Sequence, residues 1–275
     1  MASLVWGCCR LIGAMPHWLR YYVLQDTIYF IVYKCLRYRV GVVTENLRNS
    51  FPDRPMAEIK RIRRSFYHNL SEIFISTVSQ AAMSDDDCRR RVRVKNLDEV
   101  LSDLRGRDAL LSTAHFGCWE YDSFLALYTG EHYLAAVYHP LENKVIDAVY
   151  MRLRRRRNIR LIPMKEIIRY YIDHRLPAGA PGQRIGIIAD QNPPLRPNSH
   201  WFRFLNQDTV FFDGIEKMAL KFHMPVYFCR QRRLRRGYYE LEFLRLYDGV
   251  EQVAPNEVTE RYVRQLESDI VADPG

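Results

Sequence analysis

Apolar residues recur at helical spacing from Glu58 to Ala82, where Ile59, Ile62, Phe66, Leu70, Ile73 and Phe74 fall on one stripe. That period predicts an amphipathic helix. Ser84 follows, ahead of the acidic run Asp85 to Asp87. This predicts a short capped helix, because a side-chain oxygen and negative charge both suit the free N–H groups of a helix start. The pattern then alternates. Asp108 to Thr113 predicts a buried strand, Cys118 to Tyr128 a helix and Tyr133 to Tyr138 a strand. Glu142 to Arg157 predicts a helix with Val145, Ile146, Val149 and Leu153 inward, Arg160 to Pro163 a short strand, and Lys165 to His174 a helix. Leu176 to Gln183 is a Pro/Gly loop, Arg184 to Ala189 a strand, and Asp190 to Ser199 a polar, Pro-rich loop. Asp213 to Phe222 predicts a helix, and Asn256 to Val271 a last one. Between them, Pro225 to Arg232 and Tyr238 to Tyr247 pair as a hairpin around Arg236-Gly237. Strands alternating with helices predict an α/β fold, a central mostly parallel or mixed sheet flanked by helices.

Residues 1–40 differ from this. They hold Trp6, Trp18, Tyr21, Tyr22, Tyr29, Phe30, Tyr33 and Tyr38, with Arg10, Arg20, Lys34, Arg37 and Arg39 against the single acid Asp26. A bilayer-spanning helix needs about 20 mostly apolar residues, and Arg10, Arg20, Asp26 and Lys34 interrupt every such window. No basic segment precedes the apolar stretch and no A-x-A site follows it, so a cleaved signal peptide fits poorly. Aromatic rings at headgroup level and cations against anionic lipid suit helices lying in a membrane interface. A buried aromatic helix pair opening a soluble domain is the alternative. The expected organisation is membrane-associated helices over 1–40 and an α/β domain over 41–275.

Charge narrows the partners. Lys and Arg total 41 against 32 Asp and Glu in 275 residues, a net +9. That surplus suits a polyanion: nucleic acid, an anionic membrane or a phosphorylated substrate. Three basic clusters carry much of it: Arg89 to Lys95, Arg152 to Arg160, and Arg230 to Arg236. No helix-turn-helix, zinc-finger or RNA-recognition pattern accompanies them, which argues against nucleic acid. Six Cys lack C-x-x-C spacing, so neither a zinc ribbon nor a disulfide framework is expected.

The candidate chemistry lies at Ala114-His115-Phe116-Gly117-Cys118-Trp119-Glu120, where a buried strand ends and a helix begins. Ligands of open α/β sheets bind beyond the carboxyl ends of strands. Glu120 is five residues after His115, and a tight turn at Gly117 would return its carboxylate to the imidazole. A carboxylate on one ring nitrogen fixes the tautomer and leaves the other as a general base. A capping histidine beside a solvated Glu has the same spacing. Cys118 has no activator in the sequence and reads as structural.

H-x-x-x-x-E after a strand, behind a basic aromatic N-terminus, resembles the lysophospholipid acyltransferase superfamily. Further blocks resemble its lipid A biosynthesis branch. These are RYRVGVVTENLRNSFPD at Arg37 to Asp53, HFGCWE at His115 to Glu120, and YHPLENK at Tyr138 to Lys144. Ala189-Asp190-Gln191, FLNQDTVFFDGIEK at Phe204 to Lys217, and Gly237-Tyr238-Tyr239 follow. They cover nearly the whole chain in order. The resemblance implies an acyltransferase with His115 and Glu120 as its catalytic pair. Gly117, His139, Asp190, Gln191, Arg154, Arg157 and Gly214 would serve substrate binding, with Asp190 and Gln191 shaping the cleft or capping a loop. It implies an acyl carrier protein thioester as donor, acyl-CoA being the alternative, and a hydroxyl of a phosphorylated glycolipid, a lipid A precursor, as acceptor. The place would be the cytoplasmic face of the bacterial inner membrane. No metal and no cofactor beyond the thioester is expected. Acylation of another lipid, or a non-catalytic membrane-surface protein, are the alternatives. His139 stands where the family has Arg, and Ile215 where it has Pro. The family continues past Asp273-Pro274-Gly275 with a Trp- and Arg-rich tail, so a truncated chain is expected.

Overall fold

Ala109-Leu110-Leu111 is apolar without alternation, so it needs cover on both faces. The computed structural model, which describes residues 1–129, 133–155, 159–177, 180–191, 193–197 and 199–275, gives it that cover. The strands are β1 (Val92–Val94), β2 (Ala109–Thr113), β3 (Tyr133–Tyr138), β4 (Arg160–Pro163), β5 (Gln183–Ile188), β8 (Val226–Arg235) and β9 (Tyr238–Tyr247). They form one sheet in the order β1-β9-β8-β2-β5-β3-β4. All neighbours are parallel except the β8–β9 hairpin. The mixed sheet expected from the sequence is therefore present in a single α/β domain.

Side chains alternate between the two faces of a strand, and two cores result. Leu110, Val226 and Phe228 join helices α8 (Ile167–Asp173), α9 (Gly214–Phe222) and α10 (Glu257–Ala272) through Tyr171, Met218, Tyr262 and Val263. Leu111, Tyr227 and Cys229 face the other way. They meet α5 (Asp85–Arg91), α6 (Leu97–Leu104) and a 3₁₀ helix at Trp119–Leu127 through Cys88, Leu104, Tyr121 and Phe124. The chain leaving β2 crosses over β5 to reach β3, whereas the chain leaving β5 crosses over β2 to reach β8. Connections diverge at this pair, and that is where an open α/β sheet forms a ligand crevice.

Helices α1 (Ala2–Ala14), α2 (residues 17–35), α3 (Val40–Ser50) and α4 (Met56–Ser79) precede the sheet. Among the described residues no helix is long and apolar enough to cross a membrane. Trp6 and Cys9 of α1 pack on Val149 and Leu153 of α7 (Lys144–Arg155). Tyr21 of α2 is buried, while Trp18, Tyr22, Phe30, Ile31 and Leu36 are exposed. The α4 stripe is rotated from the expected one. Its core side is Ile59, Ile62, Tyr67, Ser71, Glu72 and Ile75, and Phe66 and Phe74 are exposed. The cause is polar. Fully buried Glu72 accepts hydrogen bonds from Arg233 (2.8 and 2.9 Å), the Gly237 amide (2.9 Å) and the Tyr239 hydroxyl (2.9 Å). A buried carboxylate holds its place only when paired in this way, and it turns the helix so that this face meets the β8–β9 hairpin.

Ser84 forms a reciprocal capping box with Asp87. The Cys118–Tyr128 helix is the 3₁₀ segment Trp119–Leu127. Five elements went unforeseen: α3, β1, α6 and the two-stranded hairpin of β6 (Trp201–Phe204) and β7 (Gln207–Val210). That hairpin turns on Leu205 and Asn206, both at positive φ. The turn type matches strand twist, but a Leu at its first position gives no sequence signal.

Candidate active site

Parallel pairing of β2 and β5 sets Thr113 opposite Ile188. Two residues beyond each partner, His115 and Asp190 emerge side by side. Asp190 Oδ1 lies 2.8 Å from His115 Nδ1, and its Oδ2 accepts the His115 backbone N–H at 2.8 Å. One carboxylate thus fixes both the ring and the backbone that carries it. With Nδ1–H committed to Asp190, Nε2 is left with its lone pair, the tautomer of a general base. Trp119 packs edge-on to the imidazole at 4.9 Å.

Glu120 does not close back on His115. Its carboxylate takes Arg154 Nε at 3.1 Å and a terminal nitrogen of the same guanidinium at 2.6 Å, a bidentate pair. Gly117 does make the tight turn (φ 68°), but the 3₁₀ helix that follows points Glu120 toward α7. The expected carboxylate partner of His115 is therefore corrected from Glu120 to Asp190. Arg154 is likewise committed to protein rather than free. Burial works to lower its pKa, and the charge and hydrogen bonds of Glu120 outweigh that and raise it. Arg157 lies outside the described residues.

Much of both other basic clusters is also paired. Arg90, Arg93 and Lys95 meet Asp87, Glu240 and Glu242, and Arg91 donates to the Gly237 carbonyl. Arg230, Arg233 and Arg236 meet Asp269, Glu72 and Asp26. These charges largely tie elements together.

Behind His115, Gln231 locks the turn. Its Oε1 accepts the Cys118 N–H, and its Nε2 donates to the Cys118 carbonyl (3.0 Å) and to Asp122 Oδ1 (3.1 Å). A Cβ at Gly117 would run into Gln231, so glycine is needed there for space as well as for its φ. The Phe116 and Gly117 N–H groups carry no hydrogen bond among the described residues. They stand beside His115, where an oxyanion would need donors. Cys118 is fully buried, and burial pushes its thiol well above the usual range, so it is no nucleophile.

Burial pushes the Asp122 carboxyl up to about 7, against hydrogen bonds from Thr113 and Gln231 and helped by the charge of Glu120. A raised carboxylate pKa means that the folded state holds its proton longer than the unfolded chain does, so stability falls as pH rises between about 4 and 7. Asp122→Asn keeps an acceptor for Gln231, and its NH₂ meets the Thr113 hydroxyl, which turns from donor to acceptor. The substitution is expected to flatten that fall and to make the variant more stable than the parent at pH 8. Urea unfolding of both proteins at pH 5 and pH 8 measures it. Equal pH dependence in the two would refute it.

Two apolar cavities open on His115 and Trp119. One, of about 540 Å³, runs between the sheet and α7 and is lined by Leu125, Leu134, Ala136, Tyr150, Met151 and Ile159, with Glu120 and Arg154 in its wall. The second, of about 490 Å³, lies between α4 and the β8–β9 hairpin. His139 and Gln191 line the first and also a third cavity of about 560 Å³, which Gly214 borders. The structure thus gathers His115, Glu120, Arg154, His139 and Gln191 around one chamber and leaves Gly214 in the adjoining one. Asp122 and Gln231 had no signal in the sequence. The signal for Asp190 was available: it follows a strand that the sequence already made buried.

Among the described residues no group of His, Cys, Asp and Glu has the makings of a metal site. The sequence profile of the family described as bacterial lipid A biosynthesis acyltransferase matches residues 1–275. No curated protein matches the chain.

Proposed function

The chain belongs to the bacterial lipid A biosynthesis acyltransferase family, and from that membership we propose that it moves a fatty acyl chain from an acyl-carrier-protein thioester to a hydroxyl of a phosphorylated lipid A precursor. Acyltransferase activity follows from the family; donor and acceptor are the proposal. The observation that carries it is His115, oriented by Asp190 at the junction of two apolar cavities. Chambers of this size fall within the roughly 300–1,000 Å³ of ligand pockets, and a transfer from an acyl thioester to a lipid needs apolar cover for the chains of two substrates.

In this reading the acceptor hydroxyl gives its proton to His115 Nε2 as its oxygen attacks the thioester carbonyl carbon. The Phe116 and Gly117 N–H groups receive the oxyanion. The C–S bond then breaks, the thiolate takes the proton back from the imidazolium, and an ester remains. Asp190 holds the ring and stabilises its charged form. No covalent enzyme intermediate is required. The role proposed from the sequence for Glu120 becomes that of an anchor: it holds Arg154 in the wall of the 540 Å³ chamber.

Membrane attachment through residues 1–40, at the cytoplasmic face of the inner membrane, is part of the proposal. Exposed Trp18, Tyr22, Phe30 and Ile31 support it, since apolar burial plus cations is what holds interfacial helices. The deciding experiment incubates the full chain with acyl-carrier-protein thioester and vesicles that contain the phosphorylated glycolipid. Mass spectrometry then looks for one added acyl group, and sedimentation for vesicle binding that disappears when residues 1–40 are removed. Thioester consumed with no glycolipid acylated would overturn the acceptor, and binding unchanged without residues 1–40 would overturn the attachment.

A further inference from the structure

The face of α4 that the core does not use is Phe66, Asn69, Leu70 and Ile73. It forms one wall of the 490 Å³ cavity, opposite Phe116, Trp119 and Ile270; Ala272 to Gly275 form another side, where Asn69 donates to the Gly275 carbonyl, and the cavity reaches His115. His115 thus opens on separate apolar chambers on its α7 side and its α4 side. The α7 chamber ends among buried strand residues, Leu111, Leu134 and Cys229, which suits a single chain inserted from its mouth.

The α4 chamber has a different setting. Its Phe66 is also part of the exposed surface, near exposed Phe74. The neighbouring face of α4 holds α2, through Tyr67 stacked on Tyr33 and His68 on Tyr29. The chamber therefore adjoins the aromatic N-terminal surface. Its polar rim carries both signs. Arg232 lines it, is exposed, and has no ion pair among the described residues; Asp269 and Asp273 line it too, Asp269 paired with Arg230 at 3.0 Å, and Arg233 is held by Glu72.

We propose that the α4 chamber binds an acyl chain of the lipid acceptor, with Arg232 taking an acceptor phosphate, so that acceptor and donor chains approach His115 from opposite sides. This rests on the acyl-transfer reading above. An apolar trough supplies burial for the chain, and an unpaired guanidinium suits the flat oxygen array of a phosphate.

Leu70→Trp and Ile73→Trp fill the chamber from half-buried positions outside the core clusters. Each is expected to raise KM for the glycolipid about tenfold or more by steric exclusion, a larger change than in KM for the acyl thioester. Met151→Trp, in the other chamber, should raise KM for the thioester the more. Unchanged acceptor KM in folded Leu70→Trp and Ile73→Trp would overturn the assignment. So would a rise in thioester KM with acceptor KM unmoved, which would make the α4 chamber the donor's.

A second measurement needs no variant and no turnover. The phosphorylated glycolipid, carrying a diazirine in an acyl chain, is photolysed with the unaltered chain and mapped by mass spectrometry. Adducts on Leu70, Ile73 or Ile270 are expected, and adducts confined to Leu134 and Ile159 would refute the proposal. Adducts on α4 in a chain that transfers to no lipid would refute the acyl-transfer reading and leave the binding site standing.

Discussion

His115→Ala lowers acyl-thioester turnover with lipid acceptor by about 10²–10⁴-fold, the usual worth of a positioned general base, in a protein that remains folded. His115 is one-third exposed at a strand end and belongs to none of the buried core clusters. The sharper test is its partner. Asp190 meets the His115 backbone N–H with one oxygen and Nδ1 with the other. In Asp190→Asn the backbone N–H still needs an acceptor, so the amide oxygen turns to it and the amide NH₂ faces Nδ1. The ring proton is then driven to Nε2, the nitrogen that must accept the hydroxyl proton. Asp190→Asn is therefore expected to lose about 10²-fold or more in turnover, with little change in acceptor KM or in folding. The His115→Ala/Asp190→Asn double variant should be scarcely slower than His115→Ala, because the two act as one unit. Steady-state kinetics with circular dichroism reads all three. A folded Asp190→Asn enzyme at near-normal rate would remove Asp190 from the mechanism, and a folded His115→Ala enzyme at near-normal rate would remove the mechanism itself.

Glu120 answers differently. It is 5% exposed, and its charge partner among the described residues is the bidentate Arg154. Removing one member of a buried pair leaves the other desolvated and unpaired, which costs about 3–5 kcal/mol. Glu120→Ala is expected to lower the unfolding free energy by that order, read as a lower urea midpoint at an unchanged slope. Adding Arg154→Met should recover a large share, since the orphaned charge is then gone. If Glu120 instead served the imidazole directly, Glu120→Ala would keep its stability and lose turnover as His115→Ala does, and Arg154→Met would rescue nothing. Activity lost by Glu120→Ala and regained by the double variant would place the effect in the chamber wall rather than at the reacting atoms.

The uninterrupted apolar run Ala109–Leu111 determined that β2 lies inside a sheet, and the glycine and histidine after it determined a turn at its carboxyl end. Local chemistry also determined the Ser84 capping box, the β8–β9 hairpin around Arg236-Gly237 and the terminal helix, since each depends on residues a few positions apart. The ordered motif blocks determined the family. What the sequence left open was every pairing across long separations. Asp190 reaches His115 because of the β2–β5 register, fixed by strand packing between segments 75 residues apart. Glu120, near enough in sequence to suggest the same bond, is carried off by a 3₁₀ helix to an arginine 34 residues on. The α4 stripe misled for a related reason. Periodicity counts apolar residues and does not weigh a buried carboxylate, yet Glu72, gripping the hairpin more than 160 residues away, decided which face turned inward. That rotation left Leu70 and Ile73 lining a chamber beside His115 instead of filling a core. Hydrophobic patterning is local and set the elements; the partners of buried charges are non-local, and only the packed chain chose them.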